Sequence, residues 1–316
     1  MFHTEICDLL GIELPILQGA MQGGGDVALV AAVSNAGGLG VLPTFGGTDK
    51  KLREDIAAVR EHTSKPFGVN IMPMGPGITE RCVSTCVEFG IPVVTTGRAD
   101  PGAAAVATLK GAGIKVVSVI PTVEHAKRME DEGVDAVVAS GCEAGGHVGS
   151  VSTMPLVPQV VDAVSLPVIA AGGIADGRGF VAALALGACG IQMGTRFMAT
   201  AESGLNSWGR AQLLSMRETD TVVTRAMTGA TVRCIRTPEI TAYEEAIRGN
   251  ASDPEVTTLK RAVRSTRNSS YDERRQSAAG QIAGLITSEP TAAELMTEIL
   301  TDAKRIIGQL PAIAQR

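Results

Sequence analysis

Aromatic side chains, positive charge and long apolar runs are all scarce in this sequence of 316 residues. Aromatic residues make up 3% of the chain, whereas glycine alone contributes 37 residues. Such a composition of small and β-branched residues favours parallel strands covered by helices over a β-sandwich. The net charge of −5 argues against general nucleic-acid binding, because a surface that follows phosphates is usually basic.

Membrane segments, targeting signals and paired cysteines are also missing. No apolar run approaches the roughly 20 residues of a transmembrane helix, and the N-terminus has no basic region before an apolar core, so we expect a cytoplasmic protein that binds no membrane. The six cysteines form no Cys-x-x-Cys pair, which argues against zinc or a dithiol and fits a reducing compartment. No cluster of His, Asp and Glu converges on the predicted strand ends, so we predict no metal site.

Short apolar runs alternate with helical segments over the first 200 residues. Eight such runs, from Pro15–Met21 to Gly190–Phe197, are separated by seven helical segments, the first of which is Val27–Asn35 behind the capping residue Asp26. This count predicts an α/β fold, a (β/α)8 TIM barrel over residues 1–200. A doubly wound open sheet competes with it, but that fold would place Gly-x-Gly-x-x-Gly after its first strand, and this turn is absent.

The rhythm breaks after Phe197. Residues 201–275 mix helical stretches such as Tyr243–Ile247 with polar segments, and the segments beyond them, Ser277–Ile286 and Thr291–Leu310, have a helical pattern. We therefore predict a mostly helical C-terminal cap or lid extension over residues 201–316.

The loop at Ser140–Gly149 follows a buried apolar run and holds one of only four histidines. Because catalytic groups collect where parallel strands end, His147 is the candidate catalytic residue. The alternative is a tight turn whose histidine bonds a neighbouring carbonyl. Another alternative makes Cys142 a nucleophile paired with His147. The backbone of this loop can turn sharply and approach a ligand at its small residues, Gly141, Ala144, Gly145 and Gly146.

Two glycine-rich loops follow the last two predicted strands. One begins Ala171-Gly172-Gly173 and the other Gly194-Thr195-Arg196. Loops at these strand ends of a barrel commonly hold a phosphate on backbone N–H groups. The pair therefore indicates a phosphorylated cofactor, although glycines can also serve turns alone.

Three further positions on the same rim suit a flat ring. The segment Gly19-Ala20-Met21 offers bare backbone after the first strand. Asn70 and Gln192 are amides inside apolar strands, where an unpaired polar group is costly. Each amide needs a partner, either a neighbour in the protein or the edge of a flavin ring.

Together these segments resemble the FMN-dependent nitronate monooxygenase and enoyl-acyl carrier protein reductase II superfamily. The resemblance is carried, in family order, by Pro15–Met21, Ser34–Gly40, Lys65–Asn70, Glu143–Gly149, Pro167–Gly177 and Gly190–Phe197. It implies a barrel that binds FMN, with His147 as the active-site histidine. The implied FMN contacts are Gly19, Ala20, Met21, Asn70, Gly145, Ala171, Gly173, Gln192, Gly194 and Thr195. We add Gly172, which lies between Ala171 and Gly173, to the predicted contacts.

Segments at the edges of the match favour the enoyl reductase branch. Asn70–Pro73, Val93–Gly97 and Ala279–Ile286 are more similar to that branch than to nitronate monooxygenases. The resemblance implies reduction of an enoyl thioester with NAD(P)H as co-substrate, while His147 donates a proton or stabilises the enolate. Four alternatives stay open: a monooxygenase of alkyl nitronates, an NADH-dependent quinone reductase, a trans-acting enoyl reductase of a polyketide synthase, and a non-catalytic flavin-binding scaffold.

A basic segment between residues 260 and 275 departs from both branches. Its six cations face two acids in an otherwise acidic protein: Lys260, Arg261, Arg264, Arg267, Arg274 and Arg275 against Asp272 and Glu273. Such charge usually forms only a solvated helix face. If the segment borders the site, it would attract an acidic acyl carrier protein. We also expect a homodimer that acts on a small molecule or an acyl thioester.

Overall fold

The computed structural model describes residues 2–21, 23, 25–44, 48–72, 77–97, 100–267 and 278–314. Its main sheet has eight parallel strands: β1 (Ile16–Gln18), β2 (Gly40–Pro43), β3 (Phe67–Ile71), β4 (Val93–Thr96), β5 (Lys115–Ile120), β6 (Ala136–Ser140), β8 (Val168–Ala171) and β9 (Gly190–Met193). Their order around the sheet is β1-β9-β8-β6-β5-β4-β3-β2. The ends meet where the N–H of Gln18 donates to the carbonyl of Leu39, and the N–H of Leu39 donates to that of Ile16. The predicted TIM barrel is confirmed.

One helix precedes the first strand, and the following helices cover the outside of the barrel in alternation with the strands. They are α1 (Glu5–Leu10), α2 (Val27–Asn35), α3 (Asp49–His62), α4 (Ile78–Glu88), α5 (Ala103–Gly111), α6 (Val123–Asp131), α7 (Thr153–Val161), α8 (Gly177–Ala185) and α9 (Thr195–Met198). Local sequence explains where several begin, because Asp26, Thr48 and Thr122 each accept a hydrogen bond from the backbone three residues on. No described helix is long and apolar enough to cross a membrane.

The last predicted strand is shorter than expected. Strand β9 ends at Met193, and the predicted continuation to Phe197 is wrong because Gly194 already has helical dihedrals and α9 begins at Thr195. Helix α1 was not predicted from the sequence. Its buried residues Ile6 and Leu10 cluster with the apolar side chains inside the barrel. This helix therefore closes the N-terminal end of the barrel and leaves the opposite end for a site.

The C-terminal extension contains α10 (Ser207–Leu214), α11 (Pro238–Arg248), α12 (Asp253–Arg267), a 3-10 turn (Gln281–Leu285) and α13 (Ala292–Ala314). It also contains a hairpin that the sequence analysis did not predict, formed by β10 (Thr221–Thr224) and β11 (Val232–Ile235). Strand β11 pairs in turn with β7 (Gly146–His147), which belongs to the loop after β6. The extension is thus joined by backbone hydrogen bonds to the loop that carries the candidate histidine.

Helix α13 packs against α2 and α8 on the outside of the barrel. The approach is close, since a Cβ atom at Gly177 would lie 2.6 Å from the backbone nitrogen of Ala303. The division into a barrel over residues 1–200 and an extension over 201–316 stays a prediction. We propose a refinement in which 201–291 form the extension and α13 completes the ring of barrel helices.

Candidate functional site

One cavity of about 330 Å³ opens at the C-terminal end of the barrel strands. Every residue predicted for the site lies in its wall: Gly19, Ala20, Met21, Asn70, Gly145, His147, Ala171, Gly172, Gly173, Gln192, Gly194 and Thr195. The extension contributes the opposite wall through Met227, Thr228, Val232, Gly280 and Ile282. The structure brings the predicted residues together, while their individual roles stay predictions.

The two amides in the barrel strands differ in their partners. The Nδ2 atom of Asn70 donates to Oγ1 of Thr95 at 2.9 Å across two neighbouring strands. In the described part of the chain, the side-chain amide of Gln192 has no hydrogen bond, although it lies against Gly19, where an added Cβ atom would be 3.1 Å from Nε2. Gln192 is half-buried in the cavity wall, so its amide can pair with a ligand that has a polar ring edge.

The loop after β8 has a backbone conformation that glycine adopts readily and other residues rarely do. Gly172 and Gly173 both have positive φ angles, 88° and 73°, which side chains rarely adopt. Both residues line the cavity, and successive backbone N–H groups in such a turn can surround a phosphate. A Cβ atom at Gly172 would also lie 3.0 Å from the carbonyl oxygen of Gly141. Glycine is therefore required here for both conformation and space.

Glu143 fixes the loop that carries His147, a role that was not predicted from the sequence. Its carboxylate oxygens each lie 3.0 Å from the backbone N–H of Thr153, which donates to them at the start of α7. The preceding residue, Ser152, makes no side-chain cap, so Glu143 supplies the cap from the neighbouring loop. Its backbone carbonyl also accepts a hydrogen bond from the N–H of Gln281 at 2.9 Å. One residue thus links the loop to a barrel helix and to the extension.

The hairpin of the extension holds the other end of the same loop. His147 pairs with Val232 and Gly146 with Arg233 in the small sheet. The guanidinium of Arg233 is buried, and its Nε donates to the carbonyl of Cys142 at 2.7 Å. The Nε2 atom of His147 is 3.2 Å from Oγ1 of Thr228. The β-branched run Thr221–Thr224 could have signalled a hairpin, but no sequence signal links Arg233 or Thr228 to the loop.

The remaining wall of the cavity is apolar and polarizable. Five methionines line it: Met21, Met72, Met193, Met198 and Met227. Flexible thioether side chains adapt to ligands of irregular shape. Among the described residues, no three His, Cys, Asp or Glu side chains form a group that could bind a metal ion. The prediction of no metal site stays a prediction.

Buried thiols give a testable difference in cysteine reactivity. Burial raises the pKa of Cys86, Cys189 and Cys234 to about 12, so these thiols stay protonated at neutral pH. Cys142 is only half-buried, with Sγ 3.5 Å from Oγ of Ser152. We expect iodoacetamide at pH 8 to label Cys142 in the folded protein at least 10-fold faster than those three, as measured by peptide mass spectrometry.

A second experiment tests the alternative in which Cys142 is a nucleophile. Replacing Cys142 with Ser should leave turnover within about twofold, because the thiol contacts Ser152 and lies outside the cavity wall. Loss of activity in that variant would instead support Cys142 as the nucleophile. Equal labelling of Cys86 and Cys142 in the folded protein would contradict the buried environment, and urea-unfolded protein provides the control in which all six should react.

Comparison with known proteins agrees with this geometry. The profile of the nitronate monooxygenase family matches residues 3–302. A probable nitronate monooxygenase of Staphylococcus haemolyticus is 33% identical, with 97% of this chain and 98% of that protein covered. The structure of FabK from Thermotoga maritima matches with a TM-score of 0.91 and 39% identity, covering 99% of this chain and 100% of that chain. A nitroalkane oxidase from Streptomyces ansochromogenes matches with a TM-score of 0.83 and 29% identity, covering 96% and 99%.

These matches extend over both the barrel and the extension. The family profile leaves only two residues unmatched at the N-terminus, and both solved structures are covered almost completely. The resemblance drawn from the sequence motifs is confirmed. The chain belongs to the nitronate monooxygenase family and is an oxidoreductase of that superfamily.

Proposed function

We propose that the protein is an FMN-dependent enoyl thioester reductase that uses NAD(P)H. The observation that carries the proposal is the whole-length match to FabK, an enoyl-acyl carrier protein reductase, at 39% identity and a TM-score of 0.91. The corresponding values for the nitroalkane oxidase are 29% and 0.83. This difference agrees with the reductase-like segments of the sequence.

The residues of the cavity fit FMN. Gly172 and Gly173, with Gly194 and Thr195 on the next loop, would hold the phosphate on backbone N–H groups. The unpartnered amide of Gln192 and the bare backbone at Gly19 would meet the ring. When bound, FMN would carry two electrons from the nicotinamide to the substrate.

His147 would supply the proton on the substrate side. Its imidazole is half-buried in the cavity wall and is held by the hairpin, so its position is defined before substrate binds. An imidazole loses and gains a proton near neutral pH, which suits it to protonate the substrate or to stabilise an enolate. The methionines around it would contact the acyl chain.

Oxidation of alkyl nitronates is the second candidate function. It is favoured by the family profile and by the curated relatives, which are named probable nitronate monooxygenases. An alkyl nitronate is already anionic, so His147 would bind it rather than protonate it. The two functions differ in their co-substrates, because the reductase consumes NAD(P)H and the monooxygenase consumes oxygen. A quinone reductase would consume NAD(P)H without any thioester.

Arg264 is a cation that contacts a residue of the cavity wall. It is exposed on α12, and its Nε donates to the backbone carbonyl of Met227 at 3.2 Å, while Met227 itself lines the cavity. Arg274 and Arg275 lie outside the described residues, as does the side chain of Arg267. We propose that Arg264 attracts the acidic surface of an acyl carrier protein, mainly by raising the association rate.

The proposed function predicts NAD(P)H oxidation that depends on an enoyl thioester. At low salt, kcat/KM should be several-fold higher for the thioester on an acyl carrier protein than for the thioester on coenzyme A. In about 0.5 M salt this difference in kcat/KM should shrink, because salt screens the attraction. Arg264→Glu should remove most of the advantage and spare the coenzyme A reaction. Absorbance at 340 nm measures each rate.

Two comparisons make this experiment decisive. Lys304→Glu makes the same charge change on the exposed face of α13, outside the cavity wall, and should leave the carrier advantage intact. No NAD(P)H consumption with any enoyl thioester, together with oxygen uptake on an alkyl nitronate, would replace the reductase by the monooxygenase. An equal loss of the carrier advantage in both charge variants would exclude the docking role of Arg264 and leave the proposed reductase activity in place. The homodimer and the cytoplasmic location stay predictions.

A further inference from the structure

Thr228 contacts the ring of His147 from the extension. It lies in the turn between β10 and β11, and its Oγ1 atom is 3.2 Å from Nε2 of His147. The same Oγ1 accepts a hydrogen bond from the N–H of Ala230 at 3.3 Å, and its O–H lies 3.5 Å from the carbonyl of Ala230. The hydroxyl is therefore tied to its own turn by these two contacts with Ala230.

The backbone places this hydroxyl and the imidazole on one rigid unit. His147 in β7 pairs with Val232 in β11, and the N–H of Val148 donates to the carbonyl of Thr231 at 3.2 Å. The hairpin that presents Thr228 is thus the same hairpin that positions the histidine backbone. Motion of the loop relative to the hairpin would have to break these backbone hydrogen bonds first.

The contacts of Thr228 with Ala230 determine whether its hydroxyl donates to His147 or accepts from it. A threonine hydroxyl has one proton, and when this proton points to the Ala230 carbonyl, Oγ1 can only accept from His147. In that arrangement Nε2 carries the proton, and the contact with Thr228 restrains the plane of the ring. The same acceptor serves the neutral ring and the imidazolium, so the ring can change its charge without turning.

We propose that Thr228 is a positioning residue that holds the imidazole of His147 for reaction with substrate. The inference rests on the proposed role of His147 at the substrate. Orientation by a fixed hydrogen bond contributes to kcat more than to KM, because a misdirected ring still lets the substrate bind. Thr228 itself makes no chemical step.

Four variants test this role by steady-state kinetics. Thr228→Val, which keeps the shape and removes the hydroxyl, should lower kcat about 10-fold with KM within about twofold. Thr228→Ser restores the hydroxyl and should return kcat to within about threefold of the parent protein. In a His147→Ala background, Thr228→Val should change kcat by less than twofold, since its effect passes through the imidazole. Thr258→Val is the matched control and should leave kcat within about twofold, because Thr258 is exposed on α12, its hydroxyl donates to the carbonyl of Pro254 at 2.9 Å, and it lies outside the cavity wall.

The substrate is whichever compound the parent protein turns over, an enoyl thioester or an alkyl nitronate. That choice decides the proposed function, and the comparison among variants decides the role of Thr228. Flavin content and thermal unfolding of each variant separate a local effect from misfolding. A normal kcat in Thr228→Val would overturn the proposal, as would an equal loss in Thr228→Ser or the same 10-fold loss in the His147→Ala background.

Discussion

Replacing His147 with Ala should slow consumption of the enoyl thioester by the NAD(P)H-reduced protein by about 100-fold or more, which is the usual contribution of a positioned general acid. Binding of FMN should change little, because the residues that fit the phosphate and ring act through glycine backbone and the Gln192 amide. Reduction of the protein by NAD(P)H should stay within about threefold of the parent rate. Anaerobic stopped-flow absorbance measures the two half-reactions separately.

The split between half-reactions distinguishes a catalytic imidazole from a structural one. If His147 only held the loop, the loop would shift, and both half-reactions and FMN binding would decline together. The matched control is His62→Ala, which removes an exposed imidazole from the last turn of α3, far along the outside of the barrel. A His147→Ala protein that consumes thioester at the parent rate would exclude the proton-donor role.

The barrel could be predicted from the sequence because its signals are local. Each strand is a short buried run bounded by glycine or proline, and several helices begin at a capping side chain such as Asp26. The glycines of the site were visible for the same reason, since the absence of a side chain at Gly172 or Gly194 is itself part of the sequence. Asn70 and Gln192 were recognised as amides that need partners, and only the structure separates them, because Thr95 satisfies Asn70 alone.

The supports of the His147 loop could not be predicted because they join distant parts of the chain. Gly146 and His147 have no strand signal of their own, and β7 exists only because β11, more than 80 residues later, pairs with it. Arg233 reaches Cys142 and Glu143 reaches Thr153 through geometry that no spacing rule encodes. The sequence therefore located the catalytic candidate, whereas the residues that orient it emerged from the register of a small sheet.

The glycine at position 172 is the strongest test of the phosphate loop. Its φ of 88° costs an alanine about 1–2 kcal/mol, and the added Cβ would crowd the carbonyl of Gly141 at 3.0 Å and Oγ1 of Thr153 at 3.1 Å. The flavin-free protein can relieve this strain by moving the loop, whereas FMN would require the strained conformation again. Gly172→Ala should therefore weaken FMN binding about 30-fold, the ratio for about 2 kcal/mol.

Gly133→Ala is the control that separates the effect on FMN binding from the general cost of an alanine at positive φ. Gly133 has nearly the same φ, 87°, at the end of α6, and a Cβ there would meet nothing within 4 Å. Gly133→Ala should lower the stability of the flavin-free protein by about 1–2 kcal/mol, whereas Gly172→Ala should lower it less because its loop can move, and only Gly172→Ala should lose affinity. FMN is removed from each protein and titrated back while the quenching of its fluorescence is followed. Unchanged affinity in Gly172→Ala, or equal weakening in both variants, would remove Gly172 from the phosphate site, because strain that is shared with a remote turn says nothing about FMN.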